Sequence, residues 1–210
     1  MISLKIHEIF ESIQGESSFA GLPFVFIRLA GCNLNCAWCD TPDARGTDGT
    51  MQHVEDVLTA VARSGMSHVC VTGGEPLLQM HCIHLLRCLV EHGYVTTLET
   101  NGSLDIGVVP AGVIRILDVK CPSSGMARLN RLENLDVLTE RDEVKFVIGD
   151  RGDYEFARRI FNENLRNFKG PVFVSPVSGA LSPEHLANWV LSDKIPLRVH
   201  LQLHKIIRMK

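Results

Sequence analysis

The sequence predicts an α/β fold in which helices cover a parallel sheet. Predicted strands alternate with predicted helices along the 210 residues, as they do in parallel α/β proteins. Nearly every residue of each predicted strand is apolar, which is expected when both faces of a strand are buried. The distinctive polar clusters come directly after the strands, at the edge of the sheet where active sites lie in such folds.

In the first half of the chain, apolar runs and helical spacing predict the order of the elements. A strand over residues 5–10 leads into a polar loop at 11–21, and a strand at 24–29 follows. Beyond a second polar stretch at 43–50, apolar residues recur at helical spacing. The order continues with a helix that starts at Val54 and ends before Gly65, a strand at 69–71, a helix at 82–92 and a strand at 95–98.

The second half of the chain continues this alternation. Pro183 suits the first turn of a helix, because that turn needs no hydrogen bond from its backbone nitrogen. About six or seven strand–helix units in 210 residues are too few for a complete eight-stranded barrel. The predicted strands lie at 114–119, 144–148, 172–174 and 197–201, and the predicted helices at 129–138, 154–167 and 183–191.

Composition and charge limit the class of protein. A length of 210 residues suits one domain over residues 1–210, and 45% apolar with 21% charged residues is ordinary for a globular enzyme. The net charge of −3, without a basic run, argues against a nucleic-acid or anionic-membrane partner. No apolar stretch approaches the roughly 20 residues of a membrane span, and the first residues do not resemble a signal peptide. Seven cysteines, an odd number, argue against a disulfide framework and indicate a cytoplasmic protein.

Three cysteines lie in the loop over residues 31–41, directly after a predicted strand. Cys32, Cys36 and Cys39 could bind zinc or an iron–sulfur cluster. A closed structural site would need a fourth ligand nearby, but the next cysteine is Cys70. A four-iron cluster with three protein ligands leaves one iron open to another molecule, which is a catalytic arrangement. The alternative is a zinc site formed by three thiolates and a distant histidine.

The Cys-x3-Cys-x2-Cys spacing resembles the signature of the radical S-adenosylmethionine (SAM) superfamily. This resemblance implies a partial (β/α)6 barrel and a [4Fe–4S] cluster bound by the three cysteines. In that superfamily the open iron chelates SAM, and the reduced cluster splits it to release a 5′-deoxyadenosyl radical that abstracts a substrate hydrogen. The run Gly73-Gly74-Glu75-Pro76, which by itself could be an ordinary turn, resembles the superfamily motif that holds the methionine end of SAM.

The resemblance also implies a set of residues that bind SAM. Glu99 and Asn101 follow the strand at 95–98, although either could instead cap a helix or form a turn. The full implied set is Trp38, Gly74, Glu75, Glu99, Asn101, Asp118, Val119, Lys120, Ser175, Pro176, Val177 and Ser178.

Flanking motifs narrow the resemblance to one family. Ser12-Ile13-Gln14-Gly15-Glu16, followed by Gly21-x-Pro-x-x-Phe-x-Arg-x-x-Gly before the cysteines, resembles the 7-carboxy-7-deazaguanine synthases. The resemblance continues through residues 99–102, 119–122 and 202–205. Members of this family convert 6-carboxy-5,6,7,8-tetrahydropterin into 7-carboxy-7-deazaguanine and ammonia in queuosine biosynthesis.

Two positions depart from the family pattern. Ser17 stands where members often have glycine, and Asp118-Val119-Lys120 stands where some members have Ser-Pro-Lys.

The family resemblance implies how the substrate is bound. Arg28 presents two parallel donors that match the substrate carboxylate, and Gln14 can read the amide and amino edge of the pterin ring. A C-terminal tail at residues 202–210 would close over the site, and no general base is assigned. The implied substrate-binding set is Ile13, Gln14, Gly15, Glu16, Arg28, Thr72, His204 and Lys210.

The family uses a Mg2+ ion beside the cluster, and Thr41 is its predicted protein ligand. Mg2+ commonly retains water and takes oxygens from its substrate, so one hydroxyl can suffice. Asp40 is the better ligand chemically, but adjacent loop residues usually point apart. We therefore expect only one of the two side chains to face the cavity.

The resemblance further implies partners, namely an electron donor such as flavodoxin or ferredoxin and a second copy of the chain in a homodimer. Two other functions are compatible with the sequence. One is a radical SAM activase that forms a glycyl radical on a partner protein, and the other is a non-catalytic metal-binding module. The cysteines outside the loop are not expected to bind the cluster; they are Cys70, Cys82, Cys88 and Cys121.

Overall fold

The computed structural model describes residues 2–209, which contain one nine-stranded sheet in the order β3-β1-β2-β4-β5-β6-β7-β8-β9. None of the helices in this part of the chain is both long and apolar enough to cross a membrane. The strands are β1 (Ser3–Ile13), β2 (Pro23–Leu29), β3 (Thr50–His53), β4 (His68–Gly73), β5 (Val95–Thr100), β6 (Ile114–Asp118), β7 (Glu143–Ile148), β8 (Val172–Pro176) and β9 (Arg198–Val199). The helices are α1 (Pro42–Arg45), α2 (Val54–Ser64), α3 (Cys82–Glu91), α4 (Arg151–Ile160), α5 (Pro183–Asp193) and α6 (Leu203–Ile207).

Most of the sheet is parallel. From β2 to β9 in the sheet order, every neighbouring pair of strands runs in the same direction, which confirms the predicted α/β class and the partial (β/α)6 barrel. At the N-terminal edge the parallel prediction is wrong, because β1 pairs antiparallel with both β2 and β3. Only residues 14–22 join β1 to β2, whereas a parallel connection needs a crossover of about a dozen residues or more.

The ends of several helices follow from capping groups. Helix α2 confirms the predicted helix, and it ends at Gly65, whose φ of 69° lies in the left-handed region that glycine tolerates best. Helix α5 begins at Pro183, as predicted. Helix α4 begins earlier than predicted, at Arg151, because the Asp150 side chain caps it by accepting a hydrogen bond from Asp153 N–H.

The helix predicted over residues 129–138 is wrong. Two 3₁₀ turns replace it, at Ala127–Leu129 and Leu132–Val137. The Asn134 side chain is buried in the second turn and donates a hydrogen bond to Gly102 O at 2.9 Å. Such a side-chain bond to a distant carbonyl competes with regular helix formation.

Two further segments differ from prediction. The polar stretch at residues 43–50 contains most of α1 and the start of β3, neither of which was expected. The strand predicted at 197–201 is reduced to the two residues of β9, which pairs only with β8 among the described strands. The chain then leaves the sheet and forms α6, which packs on the loop between β1 and β2.

The two faces of strand β2 pack in different surroundings. Val25 and Ile27 belong to the main hydrophobic core beneath the helices, while Phe24 and Phe26 belong to a separate aromatic cluster. Because side chains alternate along a strand, Arg28 continues the series of the two phenylalanines. It therefore lies on the interior side of the barrel.

Candidate active site

A cavity of about 700 Å³ opens at the carboxyl ends of the parallel strands. The predicted Glu75, Val119, Ser175 and Pro176 are buried outside its wall, and Lys210 lies outside the described residues. The predicted residues that the structure brings together on the wall are Cys32, Cys36, Cys39, Trp38, Thr41, Gly74, Glu99, Asn101, Asp118, Lys120, Val177, Ser178, Ile13, Gln14, Gly15, Glu16, Arg28, Thr72 and His204.

Backbone contacts hold the cysteine loop at the mouth of the barrel. Gly31 N–H donates to Ala44 O at 2.8 Å and Cys32 N–H donates to Arg45 O at 3.1 Å, which ties the loop to α1. A Cβ atom at Gly74 would lie 2.2 Å from Gly31 O. Glycine at this position therefore allows the turn after β4 to approach the cysteine loop.

The three thiols suit a multi-iron cluster better than a single metal ion. A zinc ion with Zn–S bonds of about 2.3 Å would hold its sulfurs about 3.8 Å apart. Cys32, Cys36 and Cys39 do not gather within 4.8 Å of one another. Cys32 Sγ also accepts hydrogen bonds from Leu34 N–H at 3.5 Å and Asn101 Nδ2 at 3.8 Å, and hydrogen bonds to sulfur tune iron–sulfur clusters.

The other buried cysteines are poor metal ligands in this structure. Cys70, Cys82 and Cys121 are each 2% exposed or less. Burial raises the pKa of all three thiols, so they stay protonated at neutral pH. All three thiols pack within hydrophobic clusters.

The Glu75 side chain lies behind the cavity wall and supports it. Its carboxylate is fully buried and accepts hydrogen bonds from Leu77 N–H at 3.0 Å, Thr100 Oγ1 at 2.9 Å and Asn101 N–H at 2.7 Å. Burial raises its pKa, although these donors oppose the shift. The side chain ties the turn after β4 to the end of β5, and so it positions Gly74 and Asn101 on the wall.

A group of charged side chains lies where β6 ends. Asp118 Oδ2 is 3.0 Å from Lys120 Nζ and 3.7 Å from Lys145 Nζ. Asp118 Oδ1 is buried, and within residues 2–209 it has no hydrogen-bond partner. Such orphaned atoms are rare in proteins, so this oxygen is available to a donor on a bound ligand. Trp38 borders the same region, since a Cβ atom at Gly149 would lie 3.2 Å from its ring.

Glu16 is held in the wall by a buried cation. Lys145 Nζ forms an ion pair with Glu16 Oε2, and Gln202 Nε2 donates to Glu16 Oε1 at 2.6 Å. Burial alone would raise the pKa of Glu16, but Lys145 and these hydrogen bonds lower it to about 2. Burial likewise opposes the charge on Lys145, yet Glu16 and Asp118 raise its pKa well above the usual value. Both side chains are therefore charged at neutral pH.

Arg28 is oriented by neighbours on the β1–β2 hairpin. Its Nε donates to Glu8 Oε1 at 2.9 Å, and its guanidinium lies 5.5 Å from the centre of the Phe10 ring, which stacks on Phe26. Among residues 2–209, the two terminal nitrogens of Arg28 have no hydrogen-bond partner. With a side chain only 15% exposed, these nitrogens suit a ligand carboxylate.

The C-terminal tail packs on the loop between β1 and β2. Leu203 N–H donates to Gly15 O at 2.9 Å, and a Cβ atom at Gly15 would lie 1.9 Å from His204 Nδ1. Lys205 Nζ lies 4.0 Å from Asp40 Oδ2, across the mouth of the cavity. The tail therefore borders the region that the sequence assigned to the substrate.

Asp40 and Thr41 both lie on the cavity wall, and Thr41 as the magnesium ligand stays a prediction. Thr41 has φ −129° and ψ 59°, outside the extended region in which neighbouring side chains alternate. Its hydroxyl makes no capping bond to α1. Glu16, Asp40 and His204 also place possible ligand atoms within 4.8 Å of one another in the same cavity.

The sequence predicted no role in the site for three residues that line the cavity, namely Lys145, Glu8 and Phe10. Lys145 is a single charged residue within the apolar strand β7, and a buried strand rarely carries a lysine without a partner. That pattern is the signal that could have identified it. Glu8 carries no comparable signal, because its role depends on the pairing of β1 with β2.

Sequence comparison reveals close relatives over nearly the whole chain. The chain matches the radical SAM superfamily over residues 26–178. It is 41% identical to the 7-carboxy-7-deazaguanine synthase of Koribacter versatilis, over 97% of this chain and 96% of that protein. It is 42% identical to the 7-carboxy-7-deazaguanine synthase of Chlorobaculum tepidum, over 97% of this chain and 94% of that protein.

Solved structures agree with these relationships. The fold is similar to that of QueE from Escherichia coli, with a TM-score of 0.75 and 25% identity over 97% of this chain and 96% of that one. Streptococcus suis SuiB bound to S-adenosylmethionine shares the fold at a TM-score of 0.59 and 15% identity, over 81% of this chain and 45% of that one. The chain therefore belongs to the radical SAM superfamily and, within it, to the 7-carboxy-7-deazaguanine synthase family.

Proposed function

We propose that this protein converts 6-carboxy-5,6,7,8-tetrahydropterin into 7-carboxy-7-deazaguanine and ammonia. The supporting observation is that one cavity holds Cys32, Cys36 and Cys39 together with the partly free guanidinium of Arg28. The thiols suit a cluster with an open iron, and the guanidinium suits a substrate that carries a carboxylate. Relatives named 7-carboxy-7-deazaguanine synthase support the same reaction.

As a radical SAM enzyme, the protein uses a [4Fe–4S] cluster and SAM. When bound, these cofactors supply the radical that removes a hydrogen atom from the substrate carbon bearing the carboxylate. The three loop cysteines hold the cluster, and Gly74 lets the turn after β4 pack closely against their loop. Asn101 and the unpaired Oδ1 of Asp118 offer polar contacts to the remainder of SAM.

The substrate is held at two ends in this proposal. The terminal nitrogens of Arg28 pair with its carboxylate, while Gln14 and Glu16 bind the amide and amino groups of the pterin ring. Gln14 Nε2 is buried and has no hydrogen-bond partner within the described part of the chain, so it can donate to a ring acceptor. Glu16 is ionised and can accept from the ring donors.

Two further elements complete the proposed site. Mg2+ binds the Thr41 hydroxyl together with substrate oxygens and water, as is common for this ion. The C-terminal tail covers the substrate, because Gln202 and His204 already contact the loop that carries Gly15 and Glu16.

The proposal also includes partners and location. Radical formation consumes an electron, which an electron donor such as flavodoxin or ferredoxin would supply. The protein would act in the cytoplasm, because seven cysteines with three in one ligand loop suit a reducing compartment. A homodimer is proposed from the family resemblance.

Anaerobic turnover by the cluster-reconstituted protein tests the proposed function. SAM, a reductant, Mg2+ and 6-carboxytetrahydropterin should yield 5′-deoxyadenosine together with the absorbance of the deazapurine product. Cys32→Ala should lose cluster absorbance and both products. Cys88→Ala is the matched control, because this thiol lies on α3, outside the cavity wall, and it should retain all three.

The outcomes separate the competing functions. SAM cleavage without deazapurine formation would overturn the proposal and indicate another radical SAM activity, such as activation of a glycyl radical enzyme. A cluster-loaded protein that cleaves no SAM would instead be a metal-binding module.

A further inference from the structure

Lys145 bridges two carboxylates that belong to different parts of the site. Its Nζ forms an ion pair with Glu16, next to Gln14 and Gly15, and lies 3.7 Å from Asp118, at the end of β6. The lysine side chain is 14% exposed and lines the cavity. Its neighbours therefore include one residue of the proposed substrate site and one of the proposed SAM site.

The position of Lys145 is set by the sheet. Lys145 on β7 is the direct register partner of Asp118 on β6, and Val119 N–H donates to Lys145 O at 2.9 Å. The two carboxylates differ in their dependence on this lysine. Asp118 has a second cation, Lys120, at 3.0 Å, whereas within residues 2–209 no other lysine or arginine pairs with Glu16.

We propose that Lys145 is a positioning residue that keeps Glu16 ionised and oriented, so that Glu16 can accept hydrogen bonds from the amino and amide donors of the bound pterin. The inference rests on the proposed function. A carboxylate has about four acceptor positions on two oxygens, so Glu16 can bind Lys145, Gln202 and a pair of ligand donors together. A protonated carboxyl group would present a hydrogen to those donors, and the match would be lost.

Without Lys145, the surroundings of Glu16 favour the protonated form. Burial disfavours its charge, and among the main influences on its pKa only the Gln202 hydrogen bond and the His204 imidazole favour the charge apart from Lys145. Asp118 lies behind Lys145, and Asp40 faces Glu16 from the cysteine loop. The remaining groups are the imidazoles of His204 on α6 and His200 after β9; burial lowers the pKa of His200, which keeps it neutral.

The test compares substrate affinity in Lys145→Met and wild type. Anaerobic calorimetry would use the cluster-loaded protein with SAM and 6-carboxytetrahydropterin but no reductant, at several pH values between about 6 and 9. At neutral pH, Lys145→Met should bind the pterin on the order of thirtyfold more weakly. The affinity of Lys145→Met should recover at higher pH, where Glu16 loses its proton without the help of Lys145, whereas Glu16 should cause no such pH dependence in wild type.

Four controls separate positioning from general damage. SAM affinity of Lys145→Met should stay within about threefold of wild type, because Asp118 keeps Lys120. Lys145→Arg should restore most of the pterin affinity, and the exposed Lys169→Met should match wild type throughout. In a Glu16→Gln background, adding Lys145→Met should have no further effect on the pH dependence.

Wild-type pterin affinity in Lys145→Met would overturn the inference, and so would a weakening that is independent of pH. A wild-type protein that fails to bind 6-carboxytetrahydropterin would overturn the proposed function as well. A loss of SAM and pterin affinity to the same extent would show that Lys145 supports the fold of the cavity, and this would also contradict the inference.

Discussion

The guanidinium of Arg28 is prepared for a carboxylate by the register of two strands. Pairing of β1 with β2 sets Arg28 opposite Glu8, which binds Nε and holds the group over Phe10. Among residues 2–209, the terminal nitrogens are left without a hydrogen-bond partner. A planar fork with one edge held in place loses less freedom on binding than a flexible lysine would.

Replacing Arg28 should therefore impair substrate recognition selectively. Arg28→Ala should cost on the order of 2–5 kcal/mol of pterin binding free energy, and Arg28→Lys should recover only part of it. Titration of the pterin into the SAM-loaded protein measures this loss. The exposed Arg63→Lys serves as a control, and unchanged pterin affinity in Arg28→Ala would place the carboxylate elsewhere.

Thr41 and Asp40 compete for the role of magnesium ligand. We expect Thr41→Ala to lower activity and weaken its dependence on Mg2+, while Thr41→Ser preserves both, because the hydroxyl is the proposed ligand. Steady-state rates at several Mg2+ concentrations measure the effect. Both residues lie on the cavity wall, so Asp40→Asn is the decisive companion variant. If Mg2+ still stimulates Thr41→Ala fully but no longer stimulates Asp40→Asn, then Asp40 is the magnesium ligand.

Ser17 is a non-glycine residue in the left-handed region, with φ 67°. It is 5% exposed, and its Oγ accepts a hydrogen bond from Phe19 N–H at 3.1 Å, which compensates part of the backbone strain. The structure thus explains how serine replaces the glycine that family members often have at this position.

Comparison of two variants isolates the strain at Ser17. Ser17→Gly and Ser17→Ala both lose the hydroxyl bond, but only alanine keeps the unfavourable φ. Ser17→Gly should therefore be the more stable of the two by on the order of 1 kcal/mol, measured by urea unfolding. Equal stability of the two variants would mean that the loop changes conformation to accept alanine.

At the scale of elements, the loop at residues 14–22 and helix α6 form one unit at the cavity mouth. Gly15 accepts the first backbone bond of the tail, and Glu16 binds Gln202. Met209 N–H donates to His204 O at 2.9 Å, so the last residues stabilise the turn that carries His204.

Removal of the tail should weaken the binding of the pterin much more than the binding of SAM. Deletion of residues 206–210 should raise the KM for the pterin far more than the KM for SAM, because it releases the helix that carries His204. Gly15→Ala should act in the same direction without shortening the chain, since its methyl group would overlap His204. Steady-state kinetics with each substrate varied would measure both effects. The exposed Ile206→Ala is the control, and wild-type kinetics in the deletion variant would show that the tail does not cover the site.

Across the described part of the molecule, four buried carboxylates fall into two groups with opposite effects on stability. Burial raises the pKa values of Glu75 and Glu143, so protonation of these groups favours the fold as the pH falls. Burial also opposes ionisation of Glu16 and Asp142, but Lys145 and Arg115 lower their pKa values below the usual range. The second group favours the fold only while it is ionised.

The contribution of Glu16 to stability should be lost in acid. Its pKa is about 2 in the fold, below the ordinary 4.5, so its contribution is present above about pH 4.5 and declines as the pH falls toward 2. The difference in unfolding free energy between wild type and Glu16→Gln should decrease by on the order of 3 kcal/mol over this range. Urea unfolding of the cluster-free protein at a series of pH values measures the difference. The exposed Glu11→Gln is the control, and a difference that stays constant with pH would contradict this assignment.

Features that depend on residues close together in the chain could be predicted from the sequence. The cysteine loop gathers its ligands within a few residues, and the helices α2 and α5 follow from local periodicity and terminal residues. The parallel sheet follows from strands whose apolar composition reflects burial on both faces. The positions of Arg28 and Thr72 on the cavity wall follow from their places near strand ends.

Only the tertiary structure decided which charged groups meet. Lys145 and Gln202 lie 129 and 186 positions from Glu16, and their contacts depend on the order of strands in the sheet and on the path of the tail. The antiparallel β1 and the replacement of the 129–138 helix likewise depend on distant partners. Local propensity and motif spacing carry no information about such contacts. The free energy of these contacts arises only when the folded chain buries opposite charges together.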